Sequence, residues 1–158
     1  MTTRRSGRDT DEIDLIILRE LLADGHATLA RLGEATGLST SALQTRVRRL
    51  EERGIITGYR AQVNPEAIGV PLAAFIEVSP LDPAALDTIP EQLVDLPEIA
   101  ACHSVAGDAA YLLMVRVPTP QRLEELIREI RLAAHVNTRT TVVLQTFFEN
   151  RPPLLPEA

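Results

Sequence analysis

Five arginines fall within residues 39–60 (Arg46, Arg48, Arg49, Arg53 and Arg60), against only Glu51 and Glu52. Guanidinium groups are permanently charged and present forked donors that match phosphate oxygens, so this density of them points to a polyanion. In "LSTSALQTRVRRLEERG" they follow Ser39, Thr40, Ser41, Gln44 and Thr45, whose hydroxyls and amide can donate to and accept from base edges. At about 100° per residue, Leu43, Val47 and Leu50 make the buried stripe of a helix. Ser41, Thr45, Arg48, Arg49 and Glu52 then occupy the opposite face, flanked by Gln44 and Arg46. A helix of this kind places its first turns against bases and its cations against phosphate. Ser41, Gln44, Thr45 and Arg48 are therefore candidates for bases, Arg46, Arg49 and Arg53 for phosphate, with Ser39 and Thr40 at the helix entry. The same residues also fit a solvated helix laced by Arg48 with Glu51 or Glu52.

The elements that must position this helix are legible upstream of it. "DTDEIDLIILRELLADG" carries Ile13, Ile16, Ile17 and Leu21 at helical spacing, with Asp9 and Glu12 as a capping box and Gly25 as the stop. A second, shorter helix runs from Thr28 as N-cap to Gly37, burying Leu29, Leu32 and Ala35. The third starts after Ser39 as N-cap and stops at Gly54. Three helices with two short connections read as a helix-turn-helix core, and "IITGYRAQV" after them as a short wing or linking strand.

Composition supports two modules in the 158 residues. Residues 1–63 hold ten arginines against nine acids, whereas residues 64–158 hold six against thirteen, so a net charge of -6 conceals a basic patch on one half. Lysine is absent. The single cysteine, Cys102, excludes an intrachain disulfide and a cysteine-rich zinc site. With no signal-like segment and no long apolar run, a soluble, cytoplasmic protein without membrane contact is expected. Catalysis finds no support: His26, His103 and His135 lie apart, and His103 and its neighbour Cys102 project to opposite faces of a strand. No cofactor or metal is expected.

Past the turn-rich "NPEAIGVP" the pattern changes. Strand "LAAFIEVS", helix "DPAALDTIPEQLVDL" interrupted at Pro90, strand "IAACHSVA", strand "AYLLMVRV", helix "TPQRLEELIREIRLA" and strand "TRTTVVLQTFF" give the order βαββαβ of a ferredoxin-like unit. The fold class is thus α+β. Its parts are an arm (1–9), a winged helix-turn-helix (10–60), a linker (61–70), the βαββαβ domain (71–150) and a tail (151–158). Leu112 and Met114 alternate with Tyr111, Leu113, Val115 and Val117, and Val143 and Phe147 with Val142, Leu144 and Phe148, so both faces of the sheet read as apolar. Either the sheet twists into its own core or the face without helices is covered by another chain, and an obligate homodimer through this domain is predicted.

The run "DEIDLIILRELLADGHATLARLGEATGLSTSALQTRVRRLEERGIITGYRAQVNPEAIG" resembles the opening of the Lrp/AsnC (leucine-responsive, feast/famine) transcription regulators. "HSVAGDAAYLLMVRV" resembles the glycine-acid turn of their C-terminal domain, and the likeness extends over about residues 10–150. The resemblance implies a sequence-specific regulator of double-stranded DNA, dimers that assemble to octamers, and an amino-acid effector. The βαββαβ topology gathers Glu77, Ser79, Gly107, Asp108, Thr138 and Thr140 at one sheet rim. There Asp108 would meet an effector's ammonium, and the Thr hydroxyls or turn amides around Gly107 and Ala109 its carboxylate. Asp108 equally fits a plain hairpin-turn residue. Where the family turn carries a second acid before the tyrosine this chain has Ala110, which argues against a cationic effector side chain. Two other functions remain open on sequence: a nucleoid-like architectural DNA-binding protein, and an amino-acid-sensing regulatory subunit of an enzyme.

Overall fold

The computed structural model describes residues 10–82 and 88–156. The arm, Asp9 and the start of the first helix of the C-terminal module lie outside the described residues. The chain divides into two compact units, one of the N-terminal residues through 62 joined by residues from 148 onward, the other residues 63–147.

The helical unit contains α1 (Glu12–Ala23), α2 (Leu29–Thr36) and α3 (Thr40–Glu52). The start of α1 differs from expectation. Asp11 caps it, with Asp14 N–H donating to Asp11 Oδ1 at 2.9 Å and Asp14 Oδ2 accepting from the Asp11 amide at 3.4 Å. The acid-x-x-acid spacing occurs twice in this stretch, and the later pair adjoins the helix. Asp24 rather than Gly25 ends α1. Thr28 and Ser39 cap α2 and α3 as their side-chain oxygens predict, and Gly37, at φ 73°, closes α2. The core consists of Ile17, Leu18, Leu32, Leu43 and Leu50, with Ile13, Leu21, Leu29 and Val47 partly buried against it. Ala35 is exposed. A Cβ on Gly33 would lie 3.3 Å from the Leu38 carbonyl, so a larger residue there requires the following turn to give by a few tenths of an ångström.

No strand forms in "IITGYRAQV". The amides of Ile55 and Ile56 both return to the Leu50 carbonyl, and Ile56 packs on the helical core. The segment finds no ladder partner within its own unit. Residues 151–156 are likewise not a separate tail, since Leu155 packs on the same core.

The second unit has β1 (Leu72–Pro80), α4 (Ile89–Leu93), β2 (Ile99–Ser104), β3 (Tyr111–Val117), α5 (Pro120–Ala134) and β4 (Val136–Val142). The sheet order is β2-β3-β1-β4 with every pair antiparallel. That is the predicted ferredoxin-like arrangement. Thr119 caps α5 by accepting from the Arg122 amide, and Pro120 sits in the first turn, where its missing N–H is not needed. Ala74, Ile76, Val78, Tyr111, Leu113, Val115 and Val117 face α4 and α5, meeting Ile89, Leu93, Leu123, Leu126 and Ile130 in a closed core. Phe75, Leu112 and Met114 lie on the other face, where Phe75 is 39% exposed. β4 is shorter than the apolar run suggests. It pairs with β1 as far as Ala74↔Val142, and one further bond from Val143 N–H to Ala73 O ends the ladder near the start of β1. Leu144, Phe147 and Phe148 therefore leave the sheet and are exposed.

Candidate nucleic-acid interface and ligand cleft

Helix α3 presents Thr40, Ser41, Gln44, Thr45, Arg48 and Arg49 to solvent, while Leu43 and Leu50 are fully buried. The hydroxyls are already ordered: Ser39 Oγ accepts the Ala42 amide at 3.4 Å and lies 3.2 Å from Ser41 Oγ, and Thr45 Oγ1 donates to the Ser41 carbonyl at 2.9 Å. Gln44 and Arg48 are the longest exposed groups beside them. Arg48 Nε donates to Glu52 Oε1 at 2.7 Å, the lacing that the sequence allowed, yet its side chain stays 79% exposed. Arg53 is the C-cap of α3, and the Tyr59 hydroxyl donates to Glu51 Oε1 at 3.0 Å. Desolvation first, then that bond to a carboxylate, raises the Tyr59 pKa.

Arg46 and Arg49, expected on phosphate, are engaged by carboxylates of Asp11 and of Asp14 in α1. Arg46 Nη1 donates to Asp11 Oδ2 at 2.6 Å and to Asp14 Oδ1 at 2.8 Å, and Arg49 Nη2 donates to Asp14 Oδ2 at 2.6 Å. Asp14 is fully buried. The Arg46 bond, with a smaller contribution from the Asp14 amide, holds the Asp11 carboxyl below its usual range. The pairing of Asp11 and Asp14 with these arginines is not legible in the sequence, because periodicity along α1 marks both as polar positions without indicating what α3 brings to them.

In the second unit a cleft of about 220 Å³ opens at the end of the sheet, lined by Glu77, Ser79, Asp108, Ala109, Asn137, Thr138 and Arg139. Antiparallel β3 and β4 point the same way from opposite sides of β1, so the Asp108 turn and the start of β4 share this end. Arg139 Nη2 donates to Glu77 Oε1 at 2.9 Å. The pair follows from the register, which sets Glu77 opposite Arg139 and Ser79 opposite Asn137. The Glu77 bond, with the charge of Asp108 adding to it, raises the Arg139 pKa. Of the two threonines expected at this site, one lines the cleft. Val78 is opposite Thr138 and Ile76 opposite Thr140, so both hydroxyls project to the helix side of the sheet, and Thr138 Oγ1 accepts from Arg131 Nε at 2.7 Å. Thr138 lines the cleft, whereas Thr140 and Gly107 do not. Arg139 and Asn137, unassigned from sequence, do. The cleft thus alternates acid, guanidinium and acid, a pattern that fits a small zwitterion.

Among the described residues there is no group of three His, Cys, Asp or Glu placed to hold a metal, and no helix is long and apolar enough to cross a membrane. Residues 10–57 match the winged helix-turn-helix DNA-binding family, and residues 73–153 the Lrp/AsnC ligand binding domain. The HTH-type transcriptional regulator LrpA of Mycobacterium tuberculosis is 50% identical over 141 residues, spanning 89% of this chain and 94% of that protein. The chain belongs to the Lrp/AsnC family. It is a DNA-binding transcription regulator. The leucine-responsive regulatory protein of Escherichia coli is 40% identical over 147 residues, covering 90% of this chain and 89% of that one. Among solved structures, the feast or famine regulatory protein of M. tuberculosis complexed with L-methionine superposes with a TM-score of 0.88 at 50% identity, over 90% of this chain and 97% of that one. A Neisseria meningitidis transcriptional regulator, also with L-methionine, gives 0.83 at 27% identity over 91% and 96%. Within this Lrp/AsnC chain, α3 stands where a recognition helix belongs, second helix of the helix-turn-helix pair and capped at its exposed end.

Proposed function

We propose that this Lrp/AsnC regulator reads a specific operator through Ser41, Gln44, Thr45 and Arg48 and adjusts that binding to the supply of a free amino acid. The single observation that carries the effector reading is the Glu77–Arg139–Asp108 arrangement in the cleft. The spare guanidinium donors of Arg139 take the effector's carboxylate, and Asp108 with Glu77 takes its ammonium. Two relatives of this fold solved with L-methionine support a ligand of that chemistry. Ala109 and Ala110 leave no acid for a cationic side chain, so the effector is a neutral amino acid.

The protein works as a homodimer that assembles further, to an octamer, in the cytoplasm on the nucleoid, and it has no catalytic activity. The uncovered sheet face of Phe75, Leu112 and Met114 supports the dimer, since an apolar strip in mid-sheet gains by being buried against a second copy. Thermal melting of the full chain against each of the twenty amino acids tests the effector reading. A neutral amino acid raises the melting temperature with saturation. If none does, or if only lysine or arginine does, this reading is wrong.

A further inference from the structure

The arginines of α3 divide by what they touch. Arg48 is 79% exposed and pairs within its own helix, whereas Arg46, at 25%, and Arg49, at 46%, reach across to α1. Both end on Asp14, the one fully buried charged side chain among the described residues. A buried carboxylate has no water to fall back on, so each guanidinium withdrawn from it leaves charge uncompensated in a dry site. The clamp is therefore hard to open. Its two arms, three residues apart on α3, also hold the helix against rotation about its axis.

A regulator must find its operator among many competing sites, and the sequence-independent part of its affinity comes from cations on phosphate. We propose that Asp14 is a specificity-determining positioning residue for DNA binding. It withholds Arg46 and Arg49 from the phosphate backbone and fixes the rotation that turns Ser41, Gln44, Thr45 and Arg48 toward the duplex. This rests on α3 being the helix that faces DNA, and loss of operator binding in Arg48→Ala tests that premise separately.

The experiment measures affinity of the full chain for a duplex from its own promoter region and for a random duplex across a salt series. Asp14→Asn keeps the shape and removes the charge. Its binding to random duplex strengthens, the slope of log affinity against log salt steepens by about 0.9 for each arginine released, and the operator preference falls on the order of tenfold, the scale of one lost base contact. The triple variant Asp14→Asn/Arg46→Gln/Arg49→Gln has no unpaired buried charge and returns the slope to the wild-type value. A triple variant with a slope flatter than wild type by about two per protomer means that both arginines were on phosphate from the start, and overturns the proposal. So does an Asp14→Asn protein that melts lower yet keeps slope and preference. Arginine side-chain NMR of the unaltered protein gives a reading independent of variant folding. Two guanidinium signals with hindered rotation persist unchanged when DNA is added, and their loss on binding overturns the proposal.

Discussion

Arg48 Nε and Glu52 Oε1 lie 2.7 Å apart across one turn of α3, on side chains 79% and 61% exposed. An ion pair this open contributes little to stability, so a phosphate or base can take the guanidinium from Glu52 at small cost. Arg48→Ala is accordingly expected to melt within about 0.5 kcal/mol of the parent and to lose about 1–3 kcal/mol of operator binding per protomer. Glu52→Gln acts in the opposite sense. It removes a negative charge beside the duplex and raises affinity for any DNA several-fold, an effect that fades with salt. Anisotropy titrations at two salt concentrations check both, and equal affinity of Arg48→Ala and wild type would remove α3 from the interface.

Gly37 ends α2 at φ 73°, and its amide donates to the Gly33 carbonyl at 2.8 Å. A Cβ there meets nothing within 4 Å, so any penalty of substitution is conformational rather than steric. Gly37→Ala is expected to destabilise the helical unit by about 1 kcal/mol and Gly37→Asn by less, because Asn tolerates the left-handed region. Denaturant melts of the two variants test the ranking, and Ala at or above Asn contradicts it.

These cases also mark what could be read from sequence. Caps and buried stripes of α2 and α3 were legible because Thr28, Ser39, Leu43 and Leu50 act within a few residues of one another. The partner of Arg46 and Arg49 was not, since Asp14 lies more than thirty residues away and no period along either helix says which faces meet. In the cleft, topology alone brought Glu77, Asp108 and Thr138 to one end of the sheet. The side of the sheet on which each residue projects depends on register, and that is why Arg139 lines the cleft and Thr140 does not. The end of β4 was overrun because an apolar sequence continues where the partner strand has stopped.

Acid should act on both units in one direction. Asp11 is held below its ordinary 3.8 by Arg46, and Glu129 below its ordinary 4.5 by Arg122. Both are acids with depressed folded-state values, so the unfolded chain binds the proton more readily. The stability they add is present above their ordinary values and is lost as pH falls through the folded ones. Melting temperature is expected to be flat with respect to these groups from neutrality to about pH 5 and to drop below about pH 4. Each side chain is partly exposed, so the contribution of each is modest. In Asp11→Asn the part of the drop that belongs to the helical unit shrinks. Melts followed by circular dichroism at several pH values decide this, and an unchanged acid limb in that variant contradicts the role of the Asp11–Arg46 pair.

The cleft allows a sharper test than the effector screen alone, because residues adjacent in sequence fall on opposite sides of the sheet. Arg139 and Asp108 line the cleft, while Thr140 lies opposite Ile76 on the helix side. A zwitterion held by the Arg139 guanidinium and by the carboxylates of Asp108 and Glu77 loses about 2 kcal/mol, roughly 30-fold in affinity, when the charge of Arg139 or of Asp108 is neutralised. Arg139→Gln and Asp108→Asn are thus each expected to weaken effector binding on that scale, and to do so for every amino acid bound, since both groups engage the backbone zwitterion rather than the side chain. Thr140→Ala, one position along, leaves it intact. Isothermal titration with the amino acid that gives the largest melting shift measures all three. If Thr140→Ala weakens binding as much as Arg139→Gln, the effector sits elsewhere and the Glu77–Arg139 pair is only a cross-strand tie.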